Sequence, residues 1–159
     1  MRTFIGTKLI NAKPMTRQEY NNFRNWTLPA DENGDDKGWL VEYLDGGQPN
    51  TKEYAGYVSW SPDEVFQNAY KAVDGFSFGL AIEALKLGKK VARAGWNGKG
   101  LSLLLQIPDE NSKMTLPYIY MQYPTTKASD TAPENHLNAR VPWLASQTDV
   151  LADDWMICE

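Results

Sequence analysis

Phe76-Ser77-Phe78-Gly79-Leu80-Ala81-Ile82-Glu83-Ala84-Leu85-Lys86-Leu87-Gly88-Lys89-Lys90-Val91 is the stretch on which the fold turns. Phe76, Leu80, Ala84 and Leu87 recur at helical spacing, and Phe78, Ile82 and Leu85 carry the apolar surface onto a second face. Ser77 or Asp74 supplies the N-cap, and Gly88 stands where a left-handed residue ends a helix. The spacing predicts a helix to about Leu87 that is buried on more than one side. One cover is the sheet that follows; the second comes from the N-terminal residues or from another subunit.

Downstream the pattern changes to short strands. Lys89 to Arg93 and the apolar run Leu101 to Ile107 flank Asn97-Gly98, the preferred dipeptide of a tight hairpin. Tyr118 to Tyr123 reads as a third strand, Asn138 to Val141 as a fourth and Trp155 to Cys158 as the last. Thr125 to Asn135 reads as a polar loop and Ser146 to Leu151 as a short helix. The expected fold class is α+β: a small antiparallel sheet packed with short helices.

Upstream, the sequence changes character at the turn-prone Asp74-Gly75. Residues 1–74 hold eight Lys/Arg against eleven Asp/Glu, and residues 75–159 are nearly balanced. Two modules follow, 1–74 and 75–159, with an α+β extension as the first. Its expected elements start with a strand from Thr3 to Ile10. A helix follows to Arg24, opened by the capping box of Thr16 and Glu19. Pro29 to Lys37 is an acidic loop, and strands Gly38–Leu44 and Tyr54–Trp60 form an antiparallel pair. Ser61 then caps a helix with Pro62 in its first position and Val65, Phe66, Ala69, Tyr70 and Val73 as its apolar stripe.

Composition removes several function classes. A net charge of −4 lacks the broad basic surface of a nonspecific DNA or RNA binder. One cysteine, Cys158, gives no disulfide framework, and one histidine, His136, leaves too few ligands for zinc. No apolar run approaches the ~18 residues of a membrane span, and no signal peptide is read at the N-terminus. A soluble, cytosolic chain without cofactor or metal is the expectation.

Two segments carry the chemistry: Arg93-Ala94-Gly95-Trp96-Asn97-Gly98-Lys99-Gly100 and Val141-Pro142-Trp143-Leu144-Ala145-Ser146-Gln147-Thr148-Asp149. Each sets a tryptophan among small residues, amides and hydroxyls, a combination that suits a planar polar ligand such as a nucleobase. Two readings of the first stand side by side. It is a hairpin whose tryptophan packs on the sheet, or a glycine loop whose amides approach a phosphate while Trp96 stacks on a base. Lys86, Lys89, Lys90, Arg93 and Lys99 lie nearby, and Arg93, with its planar fork, is the best phosphate candidate. In the second segment Ser146 either caps a helix containing Asp149, or Ser146, Gln147 and Asp149 face a ligand.

Catalytic patterns are weak. His136 has no nucleophile motif, Asp109-Glu110 and Asp153-Asp154 read as solvated charge, and Cys158 reads as an inert thiol. There is no phosphate-loop or dinucleotide fingerprint. The site is expected to hold a ligand without transforming it. The alternatives are a nucleotide-degrading hydrolase with Asp149 as base, and a structural or interaction protein.

Phe76 to Val91, Arg93 to Gly100, Leu116-Pro117-Tyr118-Ile119, Val141 to Asp149 and Asp153-Asp154-Trp155, in this order, closely resemble the second type of Thoeris anti-defence protein, a phage family. The resemblance covers roughly the last 85 residues. It implies a sponge that sequesters glyco-cyclic ADP-ribose, the signal of a bacterial TIR enzyme, in the host cytoplasm. Some members also take up cyclic di- or trinucleotides of CBASS systems at separate sites. It further implies a homotetramer with pockets between subunits. Trp96 and Trp143 would be the stacking residues; Phe76, Arg93, Asn97, Ser146, Gln147 and Asp149 would be their polar or packing partners. Residues 1–74 lie outside this resemblance and look like a module common in small phage proteins.

Overall fold

Thr16 opens the first helix by local chemistry alone. In the computed structural model, which describes residues 1–98, 100–124 and 137–158, its side chain accepts the Glu19 amide while Glu19 accepts the Thr16 amide. This box starts α1, Arg17–Arg24, which ends at Asn25 in the left-handed region (φ 55°). The strand β1 spans Ile10–Pro14 and pairs antiparallel with β2, Gly38–Tyr43, which pairs antiparallel with β3, Tyr57–Pro62. A second helix, α2, runs Asp63–Ala69.

These elements form one compact unit, Met1–Tyr70, around a three-stranded sheet covered on both faces. On one face Tyr20 of α1 packs with Leu40 and Val58. On the other, Phe66 of α2 stacks on Trp39 with ring centres 4.4 Å apart, and the Trp39 indole donates to Asp63 Oδ1 at 2.7 Å. The outer edge of β3 is closed by a side chain: the Asn50 amide donates to the Val58 carbonyl and accepts from its N–H.

The second unit, Lys71–Glu159, is built on the helix that the sequence singled out. Helix α3, Phe78–Lys86, follows Ser77, and Gly88 after it takes φ +75°, which a side chain would strain. It packs on a five-stranded antiparallel sheet of order β7-β6-β5-β4-β8. The strands are β4, Lys90–Arg93; β5, Ser102–Gln106; β6, Tyr118–Gln122; β7, Arg140–Pro142; and β8, Trp155–Cys158. A single turn, α4, spans Gln147–Val150. The register sets Val91, Leu103, Met121 and Ile157 side by side, and Val91, Leu103, Ala81, Leu85, Phe76 and Trp155 form the core beneath α3. Outside β8, Phe76 exchanges backbone hydrogen bonds with Trp155, and the Val73 carbonyl accepts from the Ile157 amide.

The α+β class is as expected, and several local expectations need correction. The first strand is Ile10–Pro14, not Thr3–Ile10, and Phe4 and Ile5 are exposed. The pairing of Ala12 with Val41 and Pro14 with Trp39 selects this later segment, and an edge strand tolerates Pro14. Helix α2 has Pro62, not Ser61, as its cap residue, because β3 runs through to Pro62 and the first helical residue is Asp63. Asn97-Gly98 does not make a type I′ turn: that turn needs left-handed φ at both residues, and neither Asn97 nor Gly98 has it. Leu87 is exposed, so the buried stripe of α3 is Ala81, Ala84 and Leu85. The polar loop Thr125 to Asn135, His136 and Lys99 lie outside the described residues.

Leu103 is fully buried at the centre of the second unit. Leu103→Ala should destabilise that unit by about 2–5 kcal/mol, read as a lower urea midpoint by tryptophan fluorescence.

Candidate functional site

The capping box of α4 organises the site. Ser146 Oγ accepts the Asp149 amide at 3.1 Å and donates to Asp149 Oδ2 at 2.6 Å, while the Ser146 amide donates to Oδ2 at 3.2 Å. The box leaves Oδ1 for other donors. It accepts Arg93 Nη1 at 2.9 Å and the Trp96 indole Nε1 at 3.2 Å. The Asp149 main-chain carbonyl accepts the Trp155 indole at 2.9 Å. One buried aspartate thus ties the Trp96 segment to the Trp143 segment.

The two tryptophans meet. Their ring centres lie 6.4 Å apart and tilted by 57°, and both rings stand against Trp155, Trp96 at 5.5 Å and Trp143 at 6.1 Å. Phe78 joins from the first turn of α3, 6.1 Å from Trp143 and 5.3 Å from Trp155. Trp155 is fully buried, whereas Trp96 and Trp143 are half-buried and keep part of their surfaces in solvent.

Arg93 is held from two sides. Its Nη1 reaches Asp149 and the Thr148 carbonyl, its Nε donates to Asp154 Oδ1 at 2.8 Å, and its Nη2 donates to Asp154 Oδ2 at 3.5 Å. Asp154 Oδ2 also accepts the Gly95 amide at 2.8 Å. A Cβ at Gly95 would stand 2.8 Å from that oxygen, so a side chain here would have to displace the Asp154 carboxylate. Hydrogen bonding to both carboxylates raises the Arg93 pKa, and its pairing with Arg93 lowers that of Asp154. Burial pushes the Asp149 carboxyl up, but the hydrogen bonds from Ser146, Arg93 and Trp96 together outweigh it and hold its pKa at about 2.

The structure therefore brings together Arg93, Trp96, Trp143, Ser146 and Asp149. Phe76 is buried in the core beside Trp155, and Asn97 and Gln147 are exposed and outside the hydrogen-bond network just described. Asp154, which by sequence pattern alone looks like solvated charge, clamps Arg93; Phe78 and Trp155 complete the aromatic group. On the opposite face of the sheet, Lys90, Ala92, Ser102, Gln122, Met156 and Cys158 line a cavity of about 500 Å³ that Trp96 and Arg93 also border. Cys158 is half-buried there, and burial raises its thiol pKa.

Because the folded pKa of Asp149 lies below its unfolded value, the carboxylate stabilises the fold above about pH 4, and that contribution is lost as pH falls towards 2. A depression from 3.8 to about 2 corresponds to about 2 kcal/mol. Asp149→Asn should be less stable at pH 7 and should lack this part of the acid-induced loss, checked by urea unfolding at several pH values.

The model of the Tad2-like family, the Thoeris anti-defense 2-like domain, matches residues 76–158. Thoeris anti-defense 2 of Bacillus phage SP01 is 37% identical over 86 residues, which cover 51% of this chain and 92% of that protein. The matched segment holds α3, the five-stranded sheet, α4 and the whole Asp149 network, and leaves the first unit outside. The chain belongs to the Thoeris anti-defense 2-like family of anti-defence proteins.

Proposed function

We propose that this chain is a sponge for cyclic nucleotide immune signals, binding glyco-cyclic ADP-ribose, and cyclic di- or trinucleotides as further ligands, without cleaving them. The observation that carries the reading is the half-buried pair of indoles, Trp96 and Trp143, packed against each other, with Trp96 held by Asp149 and the pair edged by hydroxyl, amide and guanidinium groups. Such a corner offers π-faces to a base and donors to ribose or phosphate. Of the guanidinium hydrogens, one on Arg93 Nη2 has no protein partner among the described residues and is available to a phosphate oxygen.

Affinity sets further demands. Nanomolar capture needs about −12 kcal/mol, whereas two stacked rings supply ~1–3 kcal/mol each. Charge-assisted contacts and closure of the site supply the rest. Leu144 and Leu151, 91% and 78% exposed beside Trp143 and α4, support closure by another copy of the chain in a homotetramer. The family membership supports action in the host bacterial cytoplasm.

Binding without turnover is favoured over hydrolysis by the state of Asp149. A base for water activation works best with a pKa near the working pH. Asp149 is held at about 2 and both its oxygens already accept hydrogen bonds, so it is a poor proton acceptor.

When the protein is mixed with glyco-cyclic ADP-ribose and then heat-denatured, mass spectrometry should recover the ligand intact. Recovery of a hydrolysed product would sink the sponge reading in favour of an enzyme. Trp96→Ala and Trp143→Ala should each weaken calorimetric binding by about 5- to 150-fold. Native mass spectrometry should show a tetramer.

A further inference from the structure

We infer that Asp154 is a positioning residue for the ligand-binding face of Trp96, a role that rests on the sponge reading and extends it to a side chain outside the stacking and capping residues. Trp96 is fixed from two ends. At the ring end its indole N–H is held by Asp149 Oδ1. At the backbone end the residue before it, Gly95, donates its amide to Asp154 Oδ2, and Ala94 donates its amide to the Asp154 carbonyl at 3.0 Å. The Trp96 amide turns back to the Arg93 carbonyl at 3.3 Å. Arg93 joins the two ends, because its guanidinium reaches Asp149 through Nη1 and Asp154 through Nε.

The chemistry requires a carboxylate at this position. Asp154 presents two acceptors to two kinds of donor: the guanidinium fork spans both, Nε on Oδ1 and Nη2 on Oδ2, and a main-chain amide shares Oδ2. An asparagine has the same shape but only one acceptor oxygen, so its NH₂ must face either Arg93 or the Gly95 amide. Either way one donor loses its partner and the loop that carries Trp96 relaxes. The neighbouring Asp153 is exposed, so it serves as the control within the same Asp-Asp pair.

The test follows the six indole N–H resonances of the ¹⁵N-labelled full chain by NMR. In Asp154→Asn the Trp96 indole signal should shift and exchange with solvent at least severalfold faster, its unpaired loop being free to open. The Trp39 and Trp60 indoles, bound to Asp63 Oδ1 and to the Met15 carbonyl, should stay in place. The same variant should bind glyco-cyclic ADP-ribose about tenfold more weakly, the effect expected for loss of one charge-assisted hydrogen bond. Asp153→Asn should change neither readout. The Trp155 indole, which donates to the Asp149 carbonyl, reports whether the second unit remains folded. If Asp154→Asn unfolds it, Gly95→Ala, which presses on Asp154 from the other side, should give the same Trp96 displacement. An unmoved Trp96 signal in a folded variant, or a moved signal with unchanged affinity, overturns the role of Asp154. Failure of the unsubstituted protein to bind any cyclic nucleotide removes the sponge reading instead. The indole spectrum then still decides whether Asp154 orients Trp96.

Discussion

The Asp149 carboxylate is the contact on which the second unit's functional face depends. A carboxylate withdrawn from water is tolerated only when its oxygens are fully engaged, and here Arg93, Trp96 and Ser146 engage them. Removing the charge would weaken the hold on the Trp96 indole and on one side of Arg93, which would keep Asp154 on its other side. The same residue caps α4 and, through its main-chain carbonyl, anchors the buried Trp155. Helix start, core and indole corner therefore share one residue, and none of the three can shift alone.

This sharing explains what was legible in the sequence. Capping boxes are local, so Thr16 with Glu19 and Ser146 with Asp149 announced α1 and α4 from a four-residue pattern. Strands β2 and β8 were equally plain, each bounded by turn residues or by polar neighbours. Phe4 and Ile5 misled because an apolar run states only that a strand is possible, and its partner's register decides which residues pair. Asp154 was illegible for a related reason. Its partner Arg93 lies 61 residues away, and an Asp-Asp pair beside a tryptophan looks the same whether it is solvated or clamped. The order of motifs carried what local physics could not, because it identified the family before any contact was known.

The first unit, outside the family match, is organised by aromatic side chains more than by charge. Trp39 and Trp60 each use the ring for packing and the indole N–H for a fixed acceptor, which pins the two faces of the three-stranded sheet. Arg17 lies over the Trp60 ring and pairs with Glu32, tying the acidic segment to α1. Asn50 takes the place of a neighbouring strand at Val58. These contacts hold together a small sheet in a unit that contains no cysteine.

The backbone bond from the Ile157 amide to the Val73 carbonyl bears on where the second unit truly begins. The family match opens at residue 76, yet β8 takes part of its outer partner from a residue before it. A chain trimmed to the matched segment would keep every side chain of the Asp149 network but leave the terminal strand with an unmatched N–H at Ile157. The domain as a heritable sequence and the domain as a hydrogen-bonded object differ here by a few residues, and those few guard an open seam.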